Sequence, residues 1–158
     1  MAIKNKILSL PALLKKLPAL RRKGRTIAFT NGCFDLMHIG HVKYLEDASR
    51  DNRVLIVGLN SDKSISRIKG PSRPIVVQKS RAAVLAALES VDFVVVFNED
   101  TPYKTIAAIK PDILIKGADW KGKSVVGEDL VKKMEFIKFV QGFSTTNIIE
   151  KIKNIEKE

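Results

Sequence analysis

Apolar residues along this chain fall into short unbroken runs, separated by stretches in which they recur every three or four positions. The runs at residues 26–29, 54–57, 93–96, 113–115 and 136–140 predict strands. Helical spacing predicts helices over 41–49, 79–88, 103–109, 128–134 and 145–153. Strands buried on both faces read as continuous apolar runs, and their alternation with helices implies crossover connections. The expected fold is α/β: a single domain with a doubly wound, mostly parallel sheet and helices on both faces.

In such a sheet, ligands collect beyond the carboxyl ends of the strands. The polar segments of this chain obey that rule. Asn31, Gly32, Cys33, Phe34 and Asp35 follow the first run, Gly58 to Asp62 the second, and Lys116 to Asp119 a later one. After the first run come His38, Gly40 and His41, the chain's only two histidines with a glycine between them. Positions three apart share a helical face, and a helix start offers unpaired N–H groups and partial positive charge to a phosphate. The spacing predicts that both imidazoles point at one anion and that Gly40 clears room for it. A zinc site would need more ligands, and Cys33 is the only cysteine, so no metal is assigned to protein ligands. Ser144, Thr145 and Thr146 open the last predicted helix and form a second hydroxyl-lined anion cradle. The stretch 66–80 carries Lys69 and Arg73 among Gly70, Pro71 and Pro74, and Arg81 follows it. It reads as a mobile basic loop that grips phosphate.

The length of 158 residues suits one domain, and a lone cysteine allows no internal disulfide, as in a reducing cytoplasm. The net charge of +11 is uneven: residues 1–25 hold eight basic residues and no acidic one, while the rest holds 20 basic against 17 acidic. The division is therefore a basic amphipathic arm at 1–25 and a catalytic body at 26–158. Leu10, Leu13, Leu14, Leu17 and Leu20 give the arm an apolar face, interrupted by Pro11 and Pro18, so short helices packed on protein are expected. Without stacking aromatics in the arm, neither nucleic acid nor a membrane is the expected partner.

One rival pattern competes for the phosphate. Residues 117–124, from Gly117 to Lys123-Ser124, satisfy the eight-residue phosphate-loop pattern. Val125-Val126-Gly127 is a poor first helical turn, however, and the pattern leaves both histidines without a role. It is read as a chance match.

The residues 30–35, 38–45, 60–62, 69–70, 73–74, 91–92, 99–102, 116–120 and 144–146 together resemble the His-x-Gly-His nucleotidylyltransferases, and within them the heptose 1-phosphate adenylyltransferase branch. The resemblance implies a Rossmann-like domain that transfers AMP from ATP, with its Mg2+, to a sugar 1-phosphate. The product would be the ADP-heptose of lipopolysaccharide core synthesis. It implies catalytic roles for His38, His41 and Lys43, and nucleotide contacts from residues 31–34, Gly40, His41, Gly117, Asp119 and 144–146. Contacts to the sugar phosphate would come from Asp35, Asn60, Asp62, Lys69, Arg73 and Arg81. It further implies a cytoplasmic homodimer and a separate heptose kinase upstream. A cytidylyltransferase acting on glycerol 3-phosphate, or a similar phosphorylated alcohol, is the alternative. Ala118 stands where the branch commonly has a second glycine.

Overall fold

A computed structural model describes residues 2–50, 52–138, 140 and 142–155. The apolar runs form strands β2 (Thr26–Gly32), β3 (Arg53–Asn60), β4 (Phe93–Phe97) and β5 (Ile113–Gly117). Two more strands join them, β1 (Ile7–Leu8) and β6 (Lys133–Ile137). The order across the sheet is β1-β4-β3-β2-β5-β6, with every pairing parallel. Seven of the eight β3 residues are buried, which fits its place inside the sheet.

Alternation along the strands divides the core between two faces. Leu55, Val57 and Leu59 point to one, where they meet Tyr44 and Leu45 of α3 (Ile39–Ala48) and Leu85 of α5 (Gln78–Ala87). Val54 and Ile56 point to the other, against Leu13 and Leu17 of α2 (Leu10–Arg22) and Ile106 and Ile109 of α6 (Tyr103–Ile109).

The arm is thus built into the sheet. After α1 (Ile3–Lys6), Ile7 and Leu8 pair with Val94 and Val95 at the sheet edge, and Lys6 Nζ donates to the Leu88 carbonyl at 2.9 Å. The prolines do not divide α2. Pro11 stands in the first turn, where an N–H has no helical partner, and Ser9 caps the same turn through Ala12 N. Pro18 forfeits one hydrogen bond inside the helix, while Leu13 and Leu17, one turn apart just before it, are buried and hold the helix on the core. Arg21 then clamps the helix end to Asp112 at 3.1 and 3.2 Å.

Two stretches depart from the expected elements. The helix expected over 128–134 is only a 3-10 turn at Glu128–Leu130, followed by β6, so the strand lies three residues before its expected place at 136–140. β6 is an edge strand with one buried residue, and its alternating Lys-Met-Glu-Phe-Ile lacks the apolar run that marks the inner strands. The stretch 66–80 is not one loop. Its start belongs to α4 (Asp62–Lys69), capped by Ser61 and ended by Gly70 at φ 96°, and α5 begins at Gln78. Ile65 is the only buried apolar residue of α4, too little periodicity to reveal the helix.

Candidate active site

The sheet order reverses between β2 and β5. β2 continues alongside β3 as far as Gly32↔Leu59, but its pairing with β5 stops at Phe29↔Leu114. The two strands therefore part at their carboxyl ends, and a cavity of about 540 Å3 opens there. Such a switch point is where doubly wound sheets bind nucleotides.

From the β2 side, Asn31, Gly32, Cys33, Phe34 and Asp35 all line the cavity. Phe34 turns the chain at φ 44°, and its ring lies 5.2 Å from that of His41. Cys33 is a free thiol that burial pushes above its usual pKa, so it stays protonated. His38 occupies the N-cap position of α3, and its carbonyl accepts from His41 N at 2.9 Å. The imidazoles stack at 3.9 Å between centroids, and of the two only His41 lines the cavity. The expected convergence of both rings on one anion is thus replaced by a stack in which His38 backs His41. Gly40 serves that stack: a Cβ there would stand 2.9 Å from His38 Nδ1. Both Nδ1 atoms are buried without a partner. Burial, and then the neighbouring His38, push the His41 pKa down to about 4, so the ring is a neutral hydrogen-bond donor at pH 7.

Lys69, Arg73 and Asn60 line the cavity as well. Arg73 is aimed by Asp35, whose carboxylate accepts from Arg73 Nε at 2.7 Å, Ile75 N at 2.9 Å and Val76 N at 2.8 Å. Burial would raise the Asp35 pKa, but these donors outweigh it and hold the group below the usual carboxylate range. Asp35 is therefore a support for the 70–77 loop as much as a wall of the cavity. Asn60 Nδ2 is engaged by Ser64 Oγ at 3.0 Å.

Arg81 and Asp62, expected to touch substrate, do other work. Arg81 is 1% exposed and donates to the carbonyls of Val76, Cys33 and Asn60 and to Asp62 Oδ1. Asp62 also accepts from Gln78 N at 3.1 Å. Neither lines the cavity, and together they pin β2, β3 and α5 around it. Lys43 lies outside as well, paired with Glu46 at 2.8 Å on the exposed side of α3.

At the far end, α7 (Thr145–Ile155) brings Thr145 to the cavity, where its hydroxyl donates to the Leu36 carbonyl at 3.3 Å. Ser144 caps this helix through Asn147 N at 3.0 Å, and Thr146 is exposed away from the cavity. Gly117 lines the β5 side, whereas Asp119 is exposed beyond the wall.

The profile of the cytidylyltransferase-like family matches residues 29–153. The chain belongs to the cytidylyltransferase-like family. The bifunctional protein HldE of Campylobacter fetus subsp. fetus is 54% identical over 149 residues, covering 94% of this chain and 32% of its own length. That of Campylobacter jejuni subsp. doylei is 59% identical over 138 residues, covering 87% and 30%. The chain spans about a third of the length of these relatives. In three dimensions it is similar to the lipopolysaccharide core biosynthesis protein from Thermoplasma volcanium GSS1, with 28% identity and a TM-score of 0.60 over 73% of this chain and 98% of that one.

Residues to which no particular role was assigned also line the site: Lys116 and Trp120 from the block 116–120, Asp100, Thr101 and Pro102 from the block 99–102, and Ile68, Val125 and Val126. The two blocks stood out only as parts of the family resemblance, with Lys116 also a cation ending the buried run Ile113, Leu114, Ile115; the three aliphatic residues carried no signal. The phosphate-loop pattern has no structural counterpart here. Ala118–Trp120 is a 3-10 turn, Lys123 and Ser124 are exposed, and the next helical element is the three-residue turn at Glu128–Leu130.

Proposed function

We propose that this protein transfers AMP from ATP to D-glycero-β-D-manno-heptose 1-phosphate, giving ADP-heptose and pyrophosphate. The observation that carries the reading is the cavity at the sheet's switch point. Its lining brings together the start of α3 with its neutral His41, the start of α7 with Thr145, and the cations Lys69 and Arg73. A triphosphate suits the helix starts and a second phosphate suits the cations. Membership of the cytidylyltransferase-like family and the HldE relatives support the same chemistry.

In this reading a phosphate oxygen of the sugar attacks the α-phosphorus of ATP, and the bond to the bridging oxygen of the β-phosphate breaks. The attacking oxygen is already ionised, so no general base is needed. The work is to bring two anions together and to stabilise charge on the α-phosphate and the departing pyrophosphate. Magnesium enters as part of the ATP. Heptose 1-phosphate comes from a kinase reaction, and the setting is the cytoplasm.

A matrix of nucleoside triphosphates against phosphorylated acceptors, read by pyrophosphate release, tests the proposal. Release is expected with ATP and heptose 1-phosphate together. Faster release with CTP and glycerol 3-phosphate would replace it with cytidylyl transfer.

A further inference from the structure

Two residues beyond the last β2–β5 pair, Phe29↔Leu114, the opening crevice is bridged by one side-chain contact, in which Lys116 Nζ donates to Asn31 Oδ1. The same ammonium lies 5.7 Å from the centroid of the Trp120 ring, within reach of a cation–π contact. Both partners are neutral, and no carboxylate forms an ion pair with Lys116 among the described residues. Arg73, by contrast, is already neutralised by Asp35. A half-buried charge without an ion-pair partner is costly, and the cost is relieved when an anion arrives. Burial pushes the Lys116 pKa down to about 8, which the charge of Asp119 opposes.

The position matters as much as the charge. Lys116 lines the same cavity as His41, Thr145, Lys69 and Arg73, and stands where β2 and β5 part. The phosphorus atom that is handed from one ligand to the other must lie in that cavity, within reach of its walls. We propose that Lys116 is a catalytic residue whose ammonium binds the α-phosphate of the nucleotide and neutralises the charge that builds there during transfer. This rests on the adenylyl-transfer reading above. As the acceptor oxygen bonds to the α-phosphorus, the electron pair of the broken bond leaves on pyrophosphate and no proton moves. Lys116 thus acts as a fixed cation.

Two measurements test the assignment. In Lys116→Met, which keeps the aliphatic stem, turnover is expected to fall on the order of a hundredfold, with KM for ATP and sugar phosphate within about threefold of the parent. The second measurement needs no acceptor. Amine-selective acylation of the parent protein, located by mass spectrometry, should slow about tenfold or more at Lys116 when MgATP or its α,β-methylene analogue is present. Adenosine should not slow it, and Lys123 should label at one rate throughout. Turnover of Lys116→Met within threefold of the parent overturns the assignment, as does a loss confined to KM, or labelling indifferent to MgATP. A parent that releases no pyrophosphate with any acceptor refutes the reaction instead, and the labelling then still decides whether Lys116 meets nucleotide phosphates.

Discussion

A neutral imidazole at a phosphate site has a consequence for stability as well as for chemistry. His41 titrates near 6.5 when unfolded and near 4 when folded, and burial also lowers His38. Between those values the unfolded chain binds more protons than the folded one, so stability must fall as pH drops from 6.5 towards 4 and level off below it. The depressed carboxyls of Glu135 and Asp35 add their losses only below their ordinary values of 4.5 and 3.8, leaving the window above 4.5 to the histidines. Urea midpoints measured across pH 4.5–6.5 should therefore decline in the parent and decline less steeply in His41→Gln, where only the contribution of His38 is left. At pH 7 the same variant should lose turnover by on the order of a hundredfold, as expected for removal of one transition-state donor. At this scale the sequence was readable wherever a residue type is rare or chemically committed. The histidine pair, Lys69, Arg73 and Thr145 announced themselves, and all but His38 line the cavity. Asp62 and Arg81 look the same in sequence as residues that face substrate. Only tertiary packing shows that the Arg81 guanidinium is consumed by three carbonyls and one carboxylate.

Among the elements, α2 has the most to lose from a single cut. Leu13 is fully buried in the core it shares with Ile106 and Ile109, so Leu13→Ala should destabilise the protein by roughly 2–5 kcal/mol. Chemical denaturation measures this directly, and a loss under ~1 kcal/mol would mean that the arm adds little to the fold. A second comparison concerns two stretches that both look like phosphate loops in sequence. Thr145→Val keeps the volume and removes the hydroxyl that ties α7 to Leu36, and ATP use should weaken roughly tenfold. Lys123→Ala, on an exposed turn, should stay within a few-fold of the parent. The reverse pattern, under identical magnesium and ATP, would restore the phosphate-loop reading. The inner strands were legible because burial on both faces leaves each with an unbroken apolar run of three or more residues. Strand β1 and helix α4 were not, and β6 was expected three residues late, because two residues of strand, a helix with one buried apolar residue and an edge strand with one buried residue leave a weak periodicity.

For the molecule as a whole, the parallel sheet sets an order of events. No strand pairs with a neighbour through a tight hairpin, and the widest separation belongs to the arm, whose Ile7 and Leu8 pair with Val94 and Val95. Leu13 and Leu17 similarly wait for Ile106 and Ile109. On a ribosome adding about 5–20 residues per second, the arm is synthesised some 5–20 seconds before the partners that cover it. During that interval its leucines are exposed on a nascent chain, and a hydrophobic segment in that condition is prone to aggregate. The eight basic residues of 1–25, with no acidic one among them, keep the unshielded segment charged and mutually repelling until its place on the sheet exists. The charge excess of this chain is in that sense a property of its birth, serving the solubility of a segment that is made ahead of the partners that bury it.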